Sequence, residues 1–163
     1  MTRRVSLARV TDCAARVASC VAADPRLVAE LMLWRAVWPL LIRVMSVERL
    51  TALMTPRRAD ARSSVKIATI LRIVSTGGRL LVSRNCLQRS LVTYRLLARA
   101  GADVSAVLGI RREGLALAGH AWIQLDGRAL DQPGNDSYTP MLAVRREHRS
   151  DRYAVASDAK KAS

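Results

Sequence analysis

A chain of 163 residues supplies one domain with one modest core. Half of it is hydrophobic, which excludes a disordered chain, and with aromatics at 4% and no Phe the core must be built from Leu, Val, Ile and Ala. The formal charge of +14 favours acidic partners (nucleic acid, an anionic membrane surface, an acidic peptide) without choosing among them.

Leu7, Val10, Ala14, Val17 and Val21 recur at spacings of three and four, one apolar face of a helix. Asp24-Pro25 breaks it and starts the next, since Pro suits a first helical turn. Residues 26 to 45 read as a second helix, which Pro39 kinks or ends. Ser46 caps a third, short helix to about Met54, and Thr55-Pro56-Arg57-Arg58 is a loop. Ser63 or Ser64 caps a fourth helix through about Ser75, where Gly77-Gly78 stops it. The next helix runs from Cys86 to Ala100, with Gly101 placed for a left-handed cap. The period then changes to two: Val104, Ala106, Leu108 and Ile110 alternate as in a strand. Residues 115 to 125 form a second strand, Asp126-Gly127 a tight turn, and Arg128 to Gln132 a third strand.

This order predicts an α+β fold: a helical N-terminal half, then a central helix packed on a small antiparallel sheet. It divides the chain into one domain over 1–143 (lead-in 1–60, core 61–143) and a polar tail over 144–163.

Several function classes fall away. The start, Met1-Thr2-Arg3-Arg4, leads into no continuous apolar block, so no secretory signal is expected. The apolar stretch Leu27 to Met54 is interrupted by Glu30, Arg35, Arg43, Glu48 and Arg49, too charged for a membrane span. Peripheral membrane contact through the helix with Trp34 and Trp38 stays open. Three cysteines in no paired spacing argue for a reducing, cytoplasmic setting, with Cys13 and Cys20 as small buried residues. No zinc-type spacing, phosphate loop or Gly-x-Ser-x-Gly element is present, so neither metal nor cofactor is expected. No basic stripe interleaves with aromatics, which disfavours nucleic acid.

Three residues fall together as chemistry. Cys86 opens a helix, where unpaired N–H groups and the positive dipole end favour a thiolate. Its own N–H is positioned to join an oxyanion hole, and Asn85 or Arg84 can add donors. His120 lies on the strand Gly119-His120-Ala121-Trp122-Ile123-Gln124-Leu125; Ala121, Ile123 and Leu125 face the core, and His120, Trp122 and Gln124 the other side. A two-residue turn at Asp126-Gly127 would pair Leu125 with Arg128 and Trp122 with Asp131. Asp131 then shares the face of His120 as a diagonal neighbour, Cα atoms about 7–8 Å apart. Asp126 reads better as a turn former. A thiolate, an imidazole and a carboxylate that fixes its tautomer make a nucleophile–base–orienter set. Asn85, Arg89 and Trp122 are the candidate substrate-binding residues.

The run Cys86-Leu87-Gln88-Arg89-Ser90-Leu91, followed by His120-Ala121-Trp122, Asp126-Gly127 and Leu130-Asp131, resembles the transglutaminase-like leader peptidases of lasso-peptide biosynthesis. The resemblance covers roughly residues 30 to 140. It implies a transglutaminase- or papain-like core and a cysteine protease that cuts the leader from a ribosomally made precursor. It also implies a separate leader-binding protein, an asparagine-synthetase-like cyclase acting on the released core, and a preference for Thr just before the last leader residue. Members often carry Glu where this chain has Gln124. Transamidation or deamidation of a Gln side chain would use the same three residues. A non-catalytic basic nucleic-acid-binding module is the alternative outside enzymes.

Overall fold

The computed structural model describes residues 7–81, 85–130 and 137–146, with the backbone alone for 7–14 and 77–80. Five helices come first: α1 (Leu7–Ala23), α2 (Pro25–Val44), α3 (Val47–Met54), α4 (Ser64–Leu81) and α5 (Cys86–Arg99). Four strands follow: β1 (Val104–Glu113), β2 (Ala116–Leu125), β3 (Arg128–Ala129) and β4 (Thr139–Arg145). The fold is α+β, as the periodicity predicts.

The helix starts are local chemistry. Asp24 accepts a hydrogen bond from Leu27 N at 3.0 Å and Pro25 fills the first turn of α2. Ser46 accepts from Arg49 N at 3.4 Å to open α3. Pro39 neither ends nor stops α2, which continues to Val44. It sits on the exposed side, where a missing N–H costs least. Gly77-Gly78 does not stop α4 either; the helix runs on to Leu81. Two helical glycines cost about 1 kcal/mol each. Burying Leu81, 3% exposed, on the same side as Ile70 and Ile73 returns about 1.5–3 kcal/mol and offsets them.

The α5–β1 connection needs its glycine. Gly101 has φ +77°, and a Cβ there would stand 2.6 Å from Asp60 O and 2.7 Å from Arg62 N. Asp60 N in turn donates to Arg99 O at 2.8 Å, which ties the α3–α4 loop to the end of α5.

All strand pairs are antiparallel, in the order β3-β2-β1-β4. Val104 pairs with Leu125 and Ala106 with Ile123, so these share one face. That face joins the single core formed with Leu91, Tyr94 and Leu97 of α5, Leu31 and Trp38 of α2, and Ile70 and Ile73 of α4. The other face carries Val107, Gly109, Arg111, His120 and Trp122. β4 runs past residue 143: Val144 and Arg145 belong to the sheet, and Arg145 forks onto Asp103 at 2.6–3.1 Å. The third strand is shorter than expected, Arg128–Ala129, although Leu130 N still donates to Ile123 O at 2.9 Å.

Trp34 and Trp38 pack inward, Trp38 at 2% exposure and Trp34 against the core under the Arg95 guanidinium. They are therefore not interfacial anchors. The outward large apolar residues of α2 are Met32, Leu33, Leu40, Ile42 and Val44. Among the described residues no helix is long and apolar enough to cross a membrane.

Candidate active site

Cys86 is the first residue of α5 and is half-buried. Asn85 is the cap: its Oδ1 accepts from Leu87 N at 2.9 Å and Gln88 N at 3.2 Å, while its carbonyl accepts from Arg89 N at 3.0 Å. Of the N–H groups on residues 86 to 89, only that of Cys86 is left without an acceptor among the described residues. The cap thus saturates the helix start and leaves the one donor that belongs to the nucleophile candidate. Asn85, expected to meet substrate, has its side-chain oxygen directed at the helix. Arg84 lies outside the described residues.

The first turn of α5 is fixed from below. Gln88, 4% exposed, donates through Nε2 to the Trp34 carbonyl at 3.3 Å and pins α5 to α2. Sequence reasoning passed over this residue; the signal was a long polar side chain inside an apolar helical run. Ser90, 2% exposed, sits where a larger side chain would push the helices apart. Arg89 is half-buried and has no ion-pair partner among the described residues.

His120 is half-buried on β2, directly opposite Gly109 of β1. Its ring stacks on Trp122 at 6.0 Å between centroids with 20° between planes, and meets Tyr138 at 5.0 Å. The Arg111 guanidinium covers Tyr138 at 4.7 Å, and its NH1 donates to Ser137 Oγ at 2.9 Å. A row Arg111–Tyr138–His120–Trp122 therefore holds the imidazole between two aromatic rings. Trp122 is only 3% exposed, so it braces His120 and does not offer an open surface to substrate. Its ring occupies the place of a side chain at Gly109: a Cβ there would lie 2.8 Å from Trp122 Cη2 and 2.8 Å from Thr139 O. Gly109 was also missed; a glycine inside a strand pattern marks this kind of close approach. The β1–β4 register shifts at Leu108/Gly109, a bulge that brings Thr139 and the preceding Tyr138 across this face.

Asp126-Gly127 is the predicted two-residue turn, with φ +50° and +76°, and it pairs Leu125 with Arg128. The Asp126 carboxylate is gripped by Arg62 at 3.0 and 2.9 Å, which holds its carboxyl below the usual range and leaves it a turn residue. Asp131 lies outside the described residues. Gln124 accepts from the Ser105 hydroxyl at 3.4 Å. The structure thus groups His120 with Trp122 and Tyr138. Among the described residues no hydrogen bond joins His120 to Cys86, and no cluster of three or more His, Cys, Asp or Glu could hold a metal.

A helix headed by a capped cysteine, packed on an antiparallel sheet whose second strand carries a braced histidine, is the layout of thiol acyl-transfer enzymes. The family model of the Transglutaminase-like superfamily matches residues 27–143, and the chain belongs to that superfamily. The superfamily is generally catalytic and includes cysteine proteases and transamidases. No curated protein and no solved structure matches the chain.

Proposed function

We propose that this chain is a cysteine peptidase that removes the leader from a ribosomally made lasso-peptide precursor, with Cys86 as nucleophile, His120 as base and Asp131 as orienter. The observation that carries the reading is the N–H of Cys86 at the head of α5, unpaired among the described residues, in a chain of this superfamily. Along the fold, the two residues stand at similar heights. The chain reverses at Gly101, and α5 lies back over β1 and β2. Cys86 is then about 20 Å from the reversal by helical rise. The Gly109–His120 pair is about 17 Å along β1 by strand rise, close to the level of Cys86, although His120 is carried on the face of the sheet turned from α5. A hairpin continued at the observed register would set residue 131 opposite Trp122, diagonal to His120. Nucleophile–base contacts are commonly long in unliganded enzymes and tighten on substrate.

Cys86 Sγ attacks the scissile carbonyl, and the oxyanion that forms accepts from Cys86 N–H. His120 takes the thiol proton and returns it to the leaving amine. Water then enters on His120 and releases the acyl group, which restores the thiol. Asp131 keeps the imidazole in the required tautomer.

The test is intact-mass analysis of a candidate precursor with the protein and a leader-binding partner, run beside Cys86→Ala. Cleavage at a single leader–core bond, absent in the variant, is expected. An uncut precursor with a gain of about one dalton, or a cross-link, would replace the peptidase by the deamidase or transamidase chemistry of the same superfamily.

A further inference from the structure

The end of α5 away from Cys86 borders an open cavity of about 600 Å³, within the size range of ligand sites. Its wall includes four arginines, Arg57, Arg58, Arg95 and Arg99, with Leu53 and Pro56. Glu30 is the carboxylate that meets this group: it binds Arg99 NH1 at 2.8 and 2.9 Å and stands 3.9 Å from Arg95 Nε. Arg95 NH1 donates to Leu53 O at 3.0 Å, so two of the four guanidinium groups are fixed in place. Arg57 and Arg58 are exposed and have no partner among the described residues. Glu30, with Asp60 within electrostatic reach of Arg99 but already bound to Lys66, does not balance four guanidinium groups, so the cavity stays positive.

We propose that this cavity is an exosite for an acidic peptide segment. Guanidinium forks match carboxylates in geometry as well as charge. Leu53 and Pro56 add an aliphatic wall for an apolar side chain beside the acids. Among the described residues no aromatic side chain lines the cavity, so they offer no stacking platform of the kind a nucleic-acid strand needs. Arg99 lies thirteen residues from Cys86 along α5, about 20 Å by helical rise. An extended peptide covers that span in about six residues. The exosite would therefore hold acidic residues about six positions from the bond being cut. That last step rests on the peptidase reading; the capture of acidic peptide does not.

The experiment is fluorescence anisotropy with a labelled synthetic peptide of Glu, Asp and Leu, on the full chain, Cys86→Ala, and the double variant Arg57→Glu/Arg58→Glu. Both positions are solvent-exposed, so the double variant is expected to fold. Wild type and Cys86→Ala should bind alike, with affinity falling as salt is raised. The double variant should bind at least about ten-fold more weakly, from two reversed charges. A Lys-for-acid version of the peptide should not bind. In the cleavage assay on a precursor with acids at that spacing, the double variant should raise KM and leave kcat unchanged. Equal peptide binding by wild type and the double variant would overturn the exosite, as would tighter binding of duplex DNA lost in the same variant. Peptide binding by the full chain with no cleavage of any precursor would retain the exosite and reject the peptidase.

Discussion

Gly109→Ala adds a single methyl group at the point where β1, β4 and the Trp122 ring meet. The new carbon would stand 2.8 Å from the backbone oxygen of Thr139 and 2.8 to 2.9 Å from two ring atoms of Trp122. Ordinary contact needs roughly 0.6–0.7 Å more at each, since carbon atoms pack at about 3.5 Å and beyond. Two effects of opposite sign compete. An alanine in place of glycine stabilises by about 0.4–1 kcal/mol through the unfolded chain, where the native backbone accepts it. Overpacking a closed site costs about 1–3 kcal/mol. Here the closest atom belongs to the backbone of a paired strand, which cannot swing aside, so overpacking wins. The expected fall in Tm is about 2–4 °C for each kcal/mol in a domain of this size. Displacing Trp122 also removes a brace of His120, so acyl-transfer activity should fall more than the folded fraction does. Urea melts and near-ultraviolet circular dichroism, which reports indole packing, check the first part; kcat on a thiol-reactive acyl substrate checks the second. A Gly109→Ala protein as stable as wild type, with its indole signal and turnover intact, would refute the argument that the vacancy at Gly109 seats Trp122.

Tyr138→Ala should loosen His120 without unfolding the domain, because Tyr138 lies outside the main core; kcat should drop while the urea midpoint stays within about 0.5 kcal/mol of wild type, as for a surface change. Gln88→Leu should cost about 1 kcal/mol in a urea melt, the net worth of one buried hydrogen bond to the Trp34 carbonyl. Burial pushes the Tyr94 phenol up, partly opposed by its bond to Thr55. Its contribution is complete below the unfolded tyrosine range near about 10 and is lost as pH rises towards the folded value, so Tyr94→Phe should flatten the alkaline limb of a stability–pH curve. Arg62 holds the Asp126 carboxyl down, so that pair stabilises above the unfolded Asp range near about 4 and is lost as pH falls through the lower folded value; Arg62→Ala should flatten that acid limb.

The parts of this fold legible in the sequence are those fixed by neighbours in the chain. Ser46 caps by reaching three residues forward, and Asp126-Gly127 turns because both residues sit at positive φ. The alternation in β2 correctly separates Ala121 and Ile123 from His120 and Trp122. What escaped depends on contacts distant in sequence. Whether Gly77-Gly78 ends α4 is decided by the burial of Leu81 against other helices, not by the glycines themselves. β4 has mostly exposed side chains and carries Pro140 beside a bulge, so it gives no clean alternation and is recognised only by its pairing with β1.

The histidine shows why a site needs more than its reactive groups. His120 lies on the face of β2 turned from the helical core, and among the described residues the rings of Trp122 and Tyr138, rather than a layer of helices, meet its imidazole. Left there, an imidazole would sample several rotamers and lose orientation as a base. The chain supplies a substitute for such a layer from residues far apart in sequence. Trp122 enters the vacancy at Gly109, Tyr138 arrives just ahead of β4 beside the bulge, and Arg111 closes the row over Tyr138. Helix α5 divides its length in the same manner. One end leaves the Cys86 N–H unpaired among the described residues, Gln88 and the core leucines anchor the middle, and Arg95 and Arg99 set charge at the far end. A rigid helix carrying both a reactive end and a charged end fixes the distance between them, and that distance, not the charge alone, would select which bond of a bound peptide reaches the thiol.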